Sequence, residues 1–383
     1  MKEGGLMKVE TYNYNAGWNK DLNHSLDSAQ TLVLVFASSI IEKIQKPLDE
    51  LITAFPSSVI TGCSSANEIY QDEVSTDGLV VSVVRFEKTR LRFFSRYVDP
   101  CLDCQTIGEE LVTNLIMDDL NSIFVLSDGL NVNGSQLTKG MNSILPEGVS
   151  VVGGLAGDDN RFERTWVLHQ NRPETGCVSA VGFYGKELHL SHSFQGGWRE
   201  LGLERKVTAS KNNILYELDG RPALEIYKAY LGDRAEGLPG TGLLFPLSLR
   251  EKHNGKEMTV RTILGVDESK QSITFAGDIP EGSFVTLMTT THDNLIEAAH
   301  IAAKNIDFSG YDNQEVLSIA ISCVGRHLVL KQRTEDELEA ILDELPEHTK
   351  QIGFYSYGEI SPLMSGQCDL HNQTMTLSVF WES

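Results

Sequence analysis

Histidine is the side chain best able to ligate a metal or exchange a proton near neutral pH. Two of the ten histidines, His189 and His192, stand in one strand-like run, residues 177–198 (CVSAVGFYGKELHLSHSFQGGW). In an extended chain successive side chains alternate faces, so Leu188, Leu190, His192 and Phe194 share one side, and His189, Ser191 and Ser193 share the other. The two imidazoles therefore cannot close on one ion. His192, among apolar neighbours, is the candidate ligand, with His189 as the alternative. The other histidines form no i, i+4 pair on a helix.

Other groups carry weaker chemistry. Gly62-Cys63-Ser64-Ser65-Ala66 approaches a nucleophile elbow that would expose Ser64, but its last glycine is missing. Cys101-Leu102-Asp103-Cys104 has the spacing of a redox or zinc pair, without the second pair that a structural zinc requires. Gly153-Gly154-Leu155-Ala156-Gly157 is predicted as a glycine turn after a strand. Its spacing is not that of a dinucleotide loop, and Asp158-Asp159 behind it would repel a pyrophosphate. The adjacent carboxylates Asp158-Asp159 and Glu109-Glu110 read as solvated pairs. An enzyme using Ser64 or the Cys101/Cys104 pair is a remote reading, and no catalytic residue is assigned.

The elements that must position these groups repeat along the chain. Residues 31–37 (TLVLVFA) form an apolar run predicted as a buried strand, with Ser38-Ser39 capping a helix to about Phe55. A short strand at 58–61, a glycine-serine turn at 62–65 and a strand pair, 79–86 with 90–94, follow. The order recurs as a strand at 123–126, a helix to Leu145, a strand at 149–152, the turn at 153–157, and a pair formed by 178–184 and 187–194. VFASS at 35 matches VLSDG at 125, and GLVVSVVRFEKTRLRF at 78 matches GCVSAVGFYGKELHLS at 176. A third copy runs from LSIAISCVGR at 317, through a helix from about Thr334, to CDLHNQTMTLSVFW at 368. The first copy has Phe93 and Phe94 near the point where the second has its histidines.

Duplicated strand-helix-strand-strand-strand units define an α/β fold of mixed sheets with helices packed on them, in two domains. Between the second and third copies lie a helix at 218–232, a hairpin of 260–266 with 272–275, a strand at 284–288 and a helix at 293–305 capped by Thr291 or His292. The expected division is an N-terminal extension at 1–30, a first domain at 31–217 and a second at 218–383.

Composition narrows the function classes. A formal charge of -21, from 53 acidic and 32 basic residues, repels phosphate backbones and argues against nucleic acid as a partner. No segment offers the roughly 20 apolar residues of a membrane helix, and the first residues lack a signal-peptide core, so a cytoplasmic location is expected. Six scattered cysteines in 383 residues agree with a reducing compartment.

VVGGLAGDD, QGGW followed by VTASKNNILYELDGRPALEIYKAYLG, and FAGDIPEGS resemble the paired FIST-N and FIST-C domains, and SCVGR, GFYSYGEISP and HNQTMTLSVFWE fit the same family. The resemblance implies a non-enzymatic sensory module of signal transduction with a small ligand. GGW, YKAYLG, LLFPL and RTILGVD further resemble its haem-binding, nitric-oxide-sensing branch, which acts on a partner histidine kinase. That branch implies non-covalent haem b with its iron on His192 (or His189). Phe194, Trp198, Leu190 and Phe183 would pack on the porphyrin, and Arg199 or Arg205 would face the propionates. Pro100-Cys101 reverses the Cys-Pro dipeptide of thiolate-ligated haem. The alternative is a haem-free module with an amino-acid-like ligand, in a pocket formed by the turns at 62–65, 153–159 and 356–362. Self-association is open.

Overall fold

The structure, a computed structural model, describes residues 7–98, 103–255, 258–363 and 365–383. Cys101, half of the C-x-x-C pair, lies outside the described residues. The first unit contains β1 (Lys8–Tyr14), β2 (Thr31–Ser38), α1 (Ile41–Ala54), β3 (Val59–Ser65), β4 (Glu68–Tyr70), β5 (Glu73–Ser75) and β6 (Leu79–Arg85). The second contains β7 (Arg90–Tyr97), α2 (Cys104–Leu115), β8 (Leu120–Ser127), α3 (Gly134–Ile144), β9 (Ser150–Leu155), β10 (Val167–His169), β11 (Arg172–Glu174) and β12 (Cys177–Tyr184).

The third unit opens with β13 (Leu188–Gln195) and is interrupted by an insertion. The insertion carries β14 (Arg199–Glu200), β15 (Arg205–Lys211), β16 (Ile214–Leu218), β17 (Arg221–Pro222), α4 (Ala223–Leu231), β18 (Leu247–Arg250), β19 (Thr259–Arg261), β20 (Ile263–Asp267), β21 (Ser272–Phe275) and β22 (Phe284–Thr289). The unit resumes with α5 (His292–Lys304), β23 (Leu317–Cys323), α6 (Val324–Leu330), α7 (Thr334–Leu342), β24 (Lys350–Ser356), β25 (Gly358–Pro362), β26 (Cys368–His371) and β27 (Met375–Glu382).

Each unit builds a four-strand core and completes its sheet with a hairpin taken from another unit. The sheet β1-β6-β2-β3 receives β10–β11, β7-β12-β8-β9 receives β25–β26, and β13-β27-β23-β24 receives β4–β5. This exchange is cyclic, so the three units close into a ring with pseudo-threefold order. Within each sheet the pairs β2/β3, β8/β9 and β23/β24 are parallel and joined through helices, as a parallel connection requires.

Two sequence expectations change here. The strands at 79–86 and 90–94, and those at 178–184 and 187–194, do not pair with each other. Instead β6 lies between β1 and β2, β7 pairs with β12, and β13 pairs with β27. A short link can turn a hairpin or pass to a new sheet, and the pairing surface of a distant unit decides between them. The Glu382 carboxylate fixes one such passage, accepting the N–H groups of Glu87, Lys88 and Thr89 at 2.7–2.9 Å. In addition, Gly62, Gly153 and Gly154 lie inside β3 and β9 rather than in turns. Ser38 caps less than expected: its Oγ accepts the Ile40 N–H at 3.2 Å, and α1 has no side-chain cap.

Both faces of β2 are buried, which is why its apolar run is unbroken. Leu32, Leu34 and Phe36 face the ring interior, while Val33, Val35 and Ala37 pack with Leu48 and Leu51 of α1. Aromatic rings from different units meet in the core, with Phe183 at 5.8 Å from Phe86 and 5.5 Å from Phe380, and Phe36 at 4.6 Å from Phe354. The insertion is a nine-stranded sheet covered by Leu224, Ile226 and Tyr227 of α4. It meets the ring through a cluster of Trp198, Val260, Met288, Leu295 and Leu330. The sheet containing β13 unites strands from before and after residue 217. No helix among the described residues is long and apolar enough to cross a membrane.

Candidate ligand site

The three repeat-equivalent turns converge. Gly157 N donates to Ser64 O at 3.0 Å, Ala66 N to Tyr355 O at 2.8 Å, and Tyr357 N to Leu155 O at 3.2 Å, a cycle of backbone hydrogen bonds through all three units. The turns are packed on one another: a Cβ on Gly157 would stand 3.0 Å from Ala66 N and 3.1 Å from Tyr355 O. The segments expected to line a pocket thus meet in direct contact. Ser64 is fully buried, and its hydroxyl accepts the Trp166 N–H at 3.1 Å. Asp158, expected in solvent, is buried because its carboxylate accepts the N–H groups of Phe162, Glu163 and Arg164 at 2.8–2.9 Å and the Tyr357 hydroxyl.

Around these turns each unit buries a carboxylate that holds the residue just before its last strand. Glu68 accepts the Gly78 N–H at 3.0 Å, Asp128 the Gly176 N–H at 2.7 Å, and Glu359 the Thr374 N–H at 3.2 Å. In two units a serine three residues earlier completes the motif, Ser65 with Glu68 and Ser356 with Glu359. Burial pushes Glu68 up to about 7 and Glu359 up to about 8, outweighing the hydroxyl and N–H bonds that pull the other way.

Both folded values lie above the unfolded value of 4.5, so each folded carboxyl retains its proton where the unfolded one has lost it. The resulting stability is complete below the unfolded value and is lost as pH rises through the folded ones. Urea denaturation should therefore show stability falling between about pH 5 and 8, with a shallower fall in Glu68→Gln and Glu359→Gln. Parallel profiles for wild type and both variants would refute this.

The histidine strand is the edge of its sheet. Leu190, His192 and Phe194 share a half-buried face, with Leu190 packed on the core and the Phe194 ring 4.0 Å from the His371 ring. His371 is buried, with Nε2 3.0 Å from Ser361 O. Burial lowers the pKa of both His192 and His371, favouring neutral imidazoles. His189, on the other face, stacks on Trp381 at 5.1 Å and lines a small cleft of about 380 Å³.

The remaining residues of the expected haem set stand apart. Trp198 is buried in the insertion–ring cluster and donates its indole N–H to Gln373 O at 2.9 Å, and exposed Arg199 donates to Asn294 Oδ1 at 3.0 Å. Phe183 is buried in the core, and Arg205 pairs with Asp219 at 2.9 Å. Leu190, His192 and Phe194 therefore stay together, whereas Trp198 and Arg199 do not join them.

Sequence reasoning missed a cleft of about 720 Å³ where the insertion meets the ring. Asp233, Arg234, Thr241, Leu244 and Phe245 come from the insertion, and His292, Leu328, Val329 and Lys331 from α5, α6 and the residue after it. Its size and its mixture of apolar surface with few charged groups are those of a small-molecule site. Arg234 lies 5.2 Å over the Phe245 ring, which keeps the guanidinium at the wall. No spacing rule joins residues 233 and 331, almost a hundred positions apart, so only the repeat pattern together with the place of the insertion could have signalled the site.

The model of the FIST N domain matches residues 31–221 and that of the FIST C domain matches 223–362. The chain belongs to the FIST family, whose domains are sensory, ligand-binding modules of signal transduction. It is also similar to an uncharacterized protein of Methanocaldococcus jannaschii, 23% identical over 384 aligned residues that cover 85% of this chain and 69% of that protein.

Proposed function

We propose that this chain senses a small, amino-acid-like metabolite in the junction cleft and passes occupancy to a partner signalling protein, such as a histidine kinase, in the cytoplasm. The observation that carries this reading is the cleft itself, which takes one wall from the insertion and one from α6 and places Asp233 with Arg234 and Lys331, charges of both signs suited to a zwitterion. A ligand touching both walls would favour any arrangement that brings them together, and a difference in affinity of that kind is what shifts a population.

Thermal denaturation of the full chain with individual amino acids tests the proposal. A true ligand at a hundredfold excess over its Kd adds about 2.7 kcal/mol. Thr241→Trp, which fills the cleft, should abolish that gain, and a flat response across the set would refute the reading.

A second reading, haem with iron on His192 for sensing nitric oxide, draws support from one observation: the half-buried His192 imidazole is favoured in its neutral, ligand-competent form. Leu190 and Phe194 would supply the apolar contact. Haem supplied to the purified chain should then give a Soret band that changes in His192→Ala. Absence of the band would end this reading, and a band that changes only in His189→Ala would move the ligand to His189.

A further inference from the structure

Two helix ends beside the cleft adopt a backbone conformation ordinarily left to glycine. Gly232 ends α4 at φ 59° and ψ −132°, and Lys331 ends α6 at φ 54° and ψ −113°. At Gly232 there is no Cβ to crowd. Lys331 has one, and a side chain kept in that region is strained, a condition that persists where the surrounding fold imposes it and that concentrates at ligand sites. The strained residue is itself a cation lining the cleft, as is Arg234. Both side chains are exposed, and among the described residues neither makes an ion pair. Two cations without carboxylate partners thus line one cleft, Arg234 from the insertion and Lys331 from the end of α6.

Resting on the cleft reading above, we propose that the ligand is a small dicarboxylate, one carboxylate bound by Arg234 and the other by Lys331, with Asp233 favouring members of this class that also carry an ammonium group. Arg234 offers a planar fork suited to bidentate carboxylate binding, and Lys331 offers a point charge on a flexible stem. A ligand with a single carboxylate leaves one of the two cations unused. A ligand with a second positive charge meets Arg234 or Lys331 as a like charge.

Calorimetric titration of the full chain with glutamate, glutarate, alanine and lysine tests this. Glutamate should bind most tightly, glutarate next, alanine at least about tenfold more weakly than glutamate, and lysine weakest. Arg234→Met and Lys331→Met should each weaken glutarate at least about tenfold, while Lys331→Arg stays within about threefold of wild type. Lys331→Ala and Lys331→Gly should lose glutarate equally, but Lys331→Gly should melt about 1–3 °C above Lys331→Ala, because glycine relieves the strain. No heat with either dicarboxylate, or binding unchanged in both methionine variants, would overturn the proposal. If alanine binds as tightly as glutamate and Thr241→Trp abolishes that binding, the dicarboxylate inference fails while the cleft reading stands. If Thr241→Trp leaves all binding intact, the cleft reading fails too.

Discussion

Arg326→Met should lower stability by about 3–5 kcal/mol, the loss expected when one partner of a buried ion pair is removed and the other charge stays behind. Arg326 and Glu337 are both fully buried, joined by guanidinium–carboxylate bonds of 2.7 and 3.2 Å. The guanidinium also donates to Gly196 O at 2.6 Å and to Leu295 O at 2.9 Å. The carboxylate accepts the hydroxyls of Tyr355 at 2.7 Å and Ser322 at 3.2 Å. One side chain thus ties together the end of β13, α5, α7 and, through Glu337, the strands β23 and β24.

In the single variant the Glu337 charge keeps two hydroxyl donors but loses its counter-ion, and two carbonyls lose their donor. Replacing both charges, as in Arg326→Met with Glu337→Leu, removes the stranded charge and should recover a substantial part of the loss. Urea denaturation of both forms measures this directly. A single variant within about 1 kcal/mol of wild type would show that the pair contributes little. Because α6 carries Arg326 in its first turn and ends against the cleft at Lys331, the double variant is also the form in which to ask whether ligand binding survives a ring without this tie.

Alanine at Gly353 should be at least as damaging, with a loss of about 3 kcal/mol or more. A Cβ there would stand 1.8 Å from the Ala320 carbonyl oxygen, its register partner on the neighbouring parallel strand. Backbone cannot swing aside as a flexible side chain can, so β23 and β24 would have to separate. The other units carry the same device: Gly153 would place a Cβ 1.8 Å from Val125 O, and Gly62 one 2.1 Å from Val35 O, each opposite its own register partner. Three equivalent glycines under one constraint predict three similar losses. Gly148, on an exposed turn with nothing within 4 Å of its added Cβ, is the control and should lose only about 1 kcal/mol, from its positive φ of 84°. Expression yield and denaturation midpoints of the four variants give the comparison. A Gly353→Ala protein as stable as Gly148→Ala would mean that the strands separate freely, against the ring as described.

Much of this architecture was legible in the residues. The apolar run that became β2 announced itself, because a strand buried on both faces can be apolar at successive positions, and residues 123–126 of β8 did so over a shorter stretch. The cap of α5 was legible as Thr291 or His292, and the structure gives it to Thr291, whose hydroxyl accepts the Asn294 N–H at 3.2 Å. The repeat was legible as well, and it carried more than was drawn from it: the spacing of Ser65 to Glu68 recurs as Ser356 to Glu359, and Gly62, Gly153 and Gly353 fall at corresponding points. Those glycines mark where the two parallel strands of each sheet approach most closely, and the carboxylates mark where each final strand is anchored.

Pairing was not legible. Residues 178–184 and 187–194 are separated by a link short enough for a hairpin, and nothing local distinguishes a turn that folds back from one that crosses to another sheet. What distinguishes them is the free edge of β27, nearly two hundred residues further on. The same holds for the sites. Alternation along the strand placed His192 beside Leu190 and Phe194, because that depends only on the two-residue period of extended chain. It could not place Trp198, which lies beyond the strand and joins Met288, Leu295 and Leu330. Local period and local chemistry were enough for the helix and strand runs, their recurring order and the faces of the strands, but not for the bounds of the units, since β7 and β13, read as the closing strands of their repeats, instead open the sheet of the next unit. Only the tertiary structure decided which unit lends a hairpin to which, that the glycine segments close on one another, and that Asp233, Arg234 and Lys331 line one cleft, because each of these depends on surfaces that meet only after distant segments have packed.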